Sequence, residues 1–266
     1  MKKIFSVLLI AALLLPLMLS CKKDNTPKTV PTGSFINSAK SFSSNLGYYI
    51  TFNADGKFLA LKEATKAVRT YELIKGTYTD NQSTYTLYVN DKEWGTLRVV
   101  SNDKVHVTIS ELHIDNDLDV EVHVPDLSNE IQRASNHSWK PVSSVIKYKG
   151  LNYSNSGVDL NHFLNWAEKM FGDIEEVFED GMKMNEAYMS DSGIAFFFEN
   201  GQQLFAHIDW QGDGKFYMEP ISLSDSEKLN LFEGEATISI DQDKMIFSVA
   251  GEFNNEEVEV TIVFGL

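Results

Sequence analysis

The chain has 266 residues, of which 23 are basic and 38 acidic, for a formal charge of −15 with neutral histidines. An acidic exterior of this size repels nucleic acid and anionic lipid head groups, so neither is an expected partner. Cysteine occurs once, which leaves no intrachain disulfide framework to be read from these residues.

Met1, Lys2 and Lys3 lead an apolar run from Ile4 to Leu19, followed by Ser20 and Cys21. A charged start, an apolar middle and a small residue before the cut are the parts of an export signal. Spanning a bilayer takes about 20 apolar residues. The stretch from Ile4 to Ser20 holds 17 with Pro16 near its end, so a transmembrane anchor is the poorer reading. Leu17, Met18, Leu19, Ser20 and Cys21 resemble the lipobox of bacterial lipoproteins, with Met18 where leucine is usual. The resemblance implies a signal peptide over residues 1–20, cleavage before Cys21, and acyl chains such as palmitate on its thiol and new amine. Two or more chains hold a protein on a membrane almost irreversibly, at about 0.8 kcal/mol per buried methylene. Cys21 is therefore the one site residue expected, for lipid attachment, and loss of Lys2 and Lys3 would leave 21 basic and 38 acidic residues, a charge of −17.

Residues 21–33 read as a lipidated, flexible tether: they are polar, contain Pro27 and Pro31, and lack an apolar period. Cys21, Lys22, Lys23 and Asp24 resemble the first mature residues of many Bacteroidetes lipoproteins, some of which use a charged segment there for surface export. The expected location is the cell envelope, on the outer membrane, with the periplasmic and surface faces both open.

Tyr48 to Phe52 is aromatic and β-branched, Asn53 to Gly56 supplies turn chemistry, and Lys57 to Leu61 returns with alternation, which predicts a β-hairpin. Further strands are expected at Thr70–Tyr78, Thr84–Val89, Trp94–Val100 and Val105–Ile109, an antiparallel meander of the kind that closes into a sandwich or barrel. In Leu118 to Val124 valines alternate with Asp119, Glu121 and His123. With Asp115 and Asp117 these acids could suggest a calcium loop, but Val120 stands where such a loop needs glycine. A solvated strand face is the better reading.

Pro125 ends that strand, and a short helix and connector are expected over Asp126–Ser138, so the chain divides into a β-rich domain over 34–125 and a second over 126–266. The second opens with a strand at Trp139–Tyr148 that breaks at Gly150. Leu160, Phe163, Leu164, Ala167, Met170, Phe171, Ile174, Val177 and Phe178 then recur at spacings of three and four after Asp159 as N-cap, predicting one amphipathic helix over about 159–179, with Gly172 as a kink or break. The β pattern resumes after Gly181 and ends with Val258, Val260, Ile262 and Phe264 on one strand face.

Two stretches repeat weakly. Ile194–Ile208 echoes Ile50–Leu61, and Gly234–Ala250 echoes Gly95–Ser110, at offsets of about 145 and 140 residues, a pattern that suggests duplication. Residues 47–110, with the hairpin Tyr49–Phe58 as the clearest piece, and more weakly Trp139–Lys147 and residues 193–266, resemble the lipocalin-like or calycin-like β-barrel domains of uncharacterised Bacteroidetes lipoprotein families. Trp139 could be the tryptophan that opens the first lipocalin strand, although no Gly-x-Trp is present. The fold class is thus mainly β, an antiparallel lipocalin-like barrel or sandwich meander in two halves with one helix in the second. The resemblance implies a small cup able to hold an apolar or amphipathic ligand.

Motifs for chemistry are sparse. The histidines at 106, 113, 123, 137, 162 and 207 form no zinc spacing, and neither a nucleophile elbow nor a phosphate-cradling loop occurs, so no catalytic, metal or cofactor residues are expected. Asp209 to Gly214 could offer two carboxylates and Trp210 to a sugar or calcium, though a polar β-turn explains the same letters. Glu175, Glu176, Glu179 and Asp180 read as helix-end acids, since a glycosidase pair needs geometry. The expected function is a membrane-anchored, non-catalytic module binding an apolar small molecule, or a glycan through strand aromatics such as Tyr48, Tyr85, Tyr88, Trp94 and Trp210. A structural or interaction subunit of an envelope complex is the alternative, and an enzyme the least favoured class.

Overall fold

The computed structural model describes residues 35–37, 48–53, 55–65, 70–81, 83–101, 104–121, 137–172, 174, 178–189, 193–212, 214–221 and 230–266. Cys21, the signal and tether, His123, Glu175, Glu176 and most of the expected 126–138 connector lie outside the described residues.

Eight strands close an antiparallel barrel in chain order: β1 (Phe35–Asn37), β2 (Tyr48–Phe52), β3 (Lys57–Thr65), β4 (Thr70–Asn81), β5 (Thr84–Val89), β6 (Lys92–Ser101), β7 (Lys104–Ile109) and β8 (Ile114–Glu121). Ile36 pairs with Ile50 on one side and Val120 on the other, so β1 joins β2 to β8 and leaves no free edge. The β2–β3 turn follows from Asn53. Its Oδ1 accepts the amides of Asp55 and Lys57 at 3.1 and 2.9 Å, an Asx-type turn, and Gly56 takes the positive φ of 73°. Ile50, Phe52, Phe58, Tyr85, Leu87, Leu97, Val105, Val107 and Ile109 point inward and fill the barrel.

The second body is a ten-stranded curled sheet containing β9 (Ser138–Tyr148), β10 (Leu151–Ser156), β11 (Val158–Asp159), β12 (Lys183–Met189), β13 (Gly193–Phe198), β14 (Gln203–Gly212), β15 (Lys215–Ile221), β16 (Gly234–Asp241), β17 (Lys244–Phe253) and β18 (Glu256–Gly265). One helix, α1 (Leu160–Phe171), stands between β11 and β12. The sheet curls until β9, already bonded to β18, also meets β12 through Ala187↔Trp139 and Tyr188↔Ser138. Beyond those two pairs the strands part: β10 continues along β9 and β11 along β12. Trp139 opens β9 and is buried in the core of this body, and Val258, Val260, Ile262 and Phe264 all face that core. Together the two bodies make a lipocalin-like, two-part β fold with a single helix among the described residues.

The helix is shorter than its apolar spacing suggests. It ends at Phe171, where Gly172 adopts φ 82°, and residues 174 and 178–179 are not helical. Phe178 still reaches the same core from an irregular segment, so the three-and-four spacing continues past the point where the backbone stops following it. Met170, placed by that spacing on the apolar stripe, is 49% exposed.

The repeats fare differently. Around each ring, β6–β7 and β16–β17 hold corresponding places, but Ile50–Leu61 forms β2–β3 whereas Ile194–Ile208 forms β13–β14, one strand further on from β9 and β12. That first similarity is the one shared by antiparallel hairpins with polar, glycine-containing turns.

A third apolar cluster joins the two bodies. Leu59, Leu61 and Leu73 on the outer face of β3–β4 pack with Tyr188, Ala195, Phe197 and Phe205 on the outer face of β12–β14. Around it, Glu186 accepts from Lys57 and Lys75 at 2.6 Å each, and Lys75 lies 4.1 Å from the Phe197 ring centroid. Asp55 accepts from the His137 ring and the Ser138 amide at 2.9 Å, seating the β2–β3 turn on the start of β9. Burial by itself would raise the Asp55 carboxyl, but these two hydrogen bonds and the charges of His137 and Lys57 together hold it below its ordinary value.

Candidate binding site beneath the helix of the second body

α1 forms where Asp159, extended at φ −126°, turns its carboxylate to accept the amide of His162 at 2.9 Å, a standard N-cap. Asn161 fastens the returning chain: its Nδ2 donates to the Glu179 carbonyl and its Oδ1 accepts from the Met182 amide. Gly157 at φ 79° and Gly172 at φ 82° bound the helix, and a Cβ at either would meet nothing within 4 Å. These two positions thus need glycine for backbone conformation and leave open space about the helix ends.

Leu160, Phe163 and Ala167 turn their side chains into the interior of the sheet, where β9 and β12 have parted. Phe163 lies 4.9 Å from Phe253 and 6.1 Å from Tyr148 by ring centroids, and Tyr153 and Trp166 pack on it in tilted contacts at 5.8 and 5.9 Å. Phe171 and Phe253 meet Tyr148 edge-on at 5.2 and 5.3 Å. These rings cover an interior lined by Ile194, Phe196, Leu204, Phe247, Val260 and their neighbours. Part of the wall is thus closed by side chains of a helix rather than by strand hydrogen bonds.

Within this apolar region Tyr148 is fully buried, and no group hydrogen-bonds its hydroxyl among the described residues. A buried hydroxyl without a partner costs about 1–3 kcal/mol. Tyr148 counts in the sequence only as an apolar strand residue. The signal that could have marked it is a tyrosine at an inward position of an otherwise aliphatic and phenylalanine-lined strand set.

The aromatics proposed as glycan contacts are otherwise placed. Tyr85 is buried inside the first barrel, a correction to its reading as an exposed strand aromatic. Trp94 stacks on Phe58 at 5.7 Å and donates to Glu111, and Trp210 packs on Phe216 at 5.0 Å. Tyr88 is half-buried, and the side chain of Tyr48 is outside the description. Asp209–Gly212 forms the end of β14 and Gly214 precedes β15, while Asp213 lies outside the described residues. Asp115 and Asp117 flank His106 on an exposed strand face at 3.0 and 2.9 Å, and these hydrogen bonds raise the His106 pKa, that of Asp117 most. Among the described residues no group of three or more histidine, cysteine or acidic side chains converges in a form that could hold a metal ion.

The fold defines a class, a two-part, lipocalin-like antiparallel β fold of a closed barrel and a curled sheet that share an apolar contact. No family model, curated protein or solved structure matches the chain.

Proposed function

We propose that the chain is a lipid-anchored, non-catalytic module of the cell envelope whose second β body binds an apolar small molecule. The observation that carries this reading is the way that body is closed: α1 covers an aromatic and aliphatic interior at the place where β9 and β12 part. A helix held by side-chain packing, an N-cap, two Asn161 hydrogen bonds and the Leu160 amide on the Met182 carbonyl can move aside while the paired residues of β9, β11 and β12 keep their ladders. A glycan would instead use the ring surfaces of Trp94 and Trp210, which are shared in part with Phe58 and Phe216. Cys21 and the residues before it support the anchor, and the acidic surface supports neither nucleic acid nor anionic lipid as ligand.

A second reading, an interaction subunit of an envelope complex, draws on the outer face of β9 and β17, where Val142, Val145 and Ile246 are 51%, 38% and 37% exposed. Native mass spectrometry of the full chain, taken from its membrane after exposure to envelope lipids, separates the two. A retained small mass is the expected result. A clean unliganded mass, or a bound protein in its place, rejects the small-molecule reading.

A further inference from the structure

Tyr148 is the last residue of β9, and two of the three rings that meet it edge-on, Phe163 and Phe171, belong to α1. A molecule that turns α1 aside therefore comes first upon the Tyr148 ring, whose hydroxyl is buried without a partner among the described residues. Phenylalanine would fill the same volume and keep the same ring contacts without stranding a donor and acceptor. The neighbouring cation, Lys149, lies over the ring face with Nζ 5.3 Å from its centroid, and pairs with Glu256 at 3.7 Å. An ionised head group buried beside Tyr148 would thus lack a free counter-charge, and the net charge of −15 opposes the approach of anions.

We infer that the second body takes a neutral long-chain molecule with one hydrogen-bonding oxygen, a fatty alcohol or acyl ester, which pairs with the Tyr148 hydroxyl once α1 unpacks between the end of β11 and Gly172. This rests on the apolar-ligand reading and specifies the ligand's polar end and its way in, through the parting of β9 and β12.

The test uses the full chain in nanodiscs, titrated with tritiated 1-hexadecanol, methyl palmitate, palmitate and hexadecane, with protein-free discs subtracted. The alcohol and the ester are expected to bind about tenfold more tightly than hexadecane. Tyr148→Phe is expected to erase that advantage and leave hexadecane unchanged, and palmitate to gain nothing over hexadecane at neutral pH. Equal alcohol affinity in both chains overturns the inference, because the hydroxyl would then be satisfied by internal water. A preference for palmitate also overturns it. Failure of every probe to bind overturns the apolar-ligand reading itself, which is a different outcome from loss of the Tyr148 effect alone.

Discussion

Lys57 of β3 and Glu186 of β12 lie 2.6 Å apart across the contact between the two bodies, with Lys75 at the same distance on the other carboxylate oxygen. Burial would raise the Glu186 carboxyl, and the two lysines outweigh it, so its pKa lies below the ordinary value of 4.5. A depressed folded-state pKa contributes stability above the unfolded value and loses it as pH falls through 4.5 toward the folded one. Stability is therefore expected to decline below pH 4.5 more steeply in the native chain than in Glu186→Gln. The variant should cost about 1 kcal/mol at neutral pH. Urea titrations across that range with parallel slopes for both chains would contradict the assignment.

Phe197 anchors the apolar part of the same contact, packed with Leu59, Leu61 and Leu73 and covered by Lys75. Phe197→Ala should destabilise by about 3–5 kcal/mol. Calorimetry should then resolve separate unfolding of the two bodies, because the variant removes their shared cluster and leaves each interior intact. A loss below about 1 kcal/mol would mean that the contact contributes little.

Much of this was readable in the residues, and the part that was not has a physical reason. Alternation in Val258, Val260, Ile262 and Phe264 gave their inward face directly, since period two is the strand's own geometry. The hairpin at Asn53–Gly56 was equally plain, because its turn is built by one side chain, that of Asn53, acting on the next four residues. Closure of β1 on β8 and the passage of β9 from β18 to β12 depend on long-range pairing that local pattern does not encode. The inter-body contact did leave a trace that a reading of Lys57–Leu61 as alternating passes over: Phe58–Leu61 and Ile194–Phe198 are unbroken apolar runs, as strands buried on both faces must be. Gly172, named in the sequence as a kink or break, ends the helix because its backbone takes a positive φ, while the apolar spacing runs on past it. The Tyr148 site was hidden because a stranded hydroxyl is a property of its surroundings, and those come from α1 and β17.

Tyr148→Phe, without ligand, is expected to raise stability by about 1 kcal/mol, since it deletes a buried hydroxyl that has no partner and keeps the ring. Chemical denaturation of the two chains side by side measures this. A destabilised variant would show that the hydroxyl has a partner in the resting protein.

Asp159→Ala should cost about 1 kcal/mol through loss of the cap on the His162 amide. Hydrogen exchange in α1 should accelerate with little change in β16–β18, whose ladders do not involve the cap. Uniform acceleration through both would mean that the helix does not open independently.

Cys21→Ser tests the anchor. Labelled palmitate should enter the native chain and not the variant, and the variant should keep its signal peptide. Equal labelling of both would place the acyl chains elsewhere or remove them from the account.

The most direct test of the central claim is photo-crosslinking of the full chain with a diazirine-bearing hexadecanol, followed by peptide mapping. The account predicts label on the peptides that carry Tyr148, Phe163 and Phe253, beneath α1 and between β9 and β12. Label confined to the first barrel or to the outer face around Val142 and Ile246, or no specific label, would contradict it.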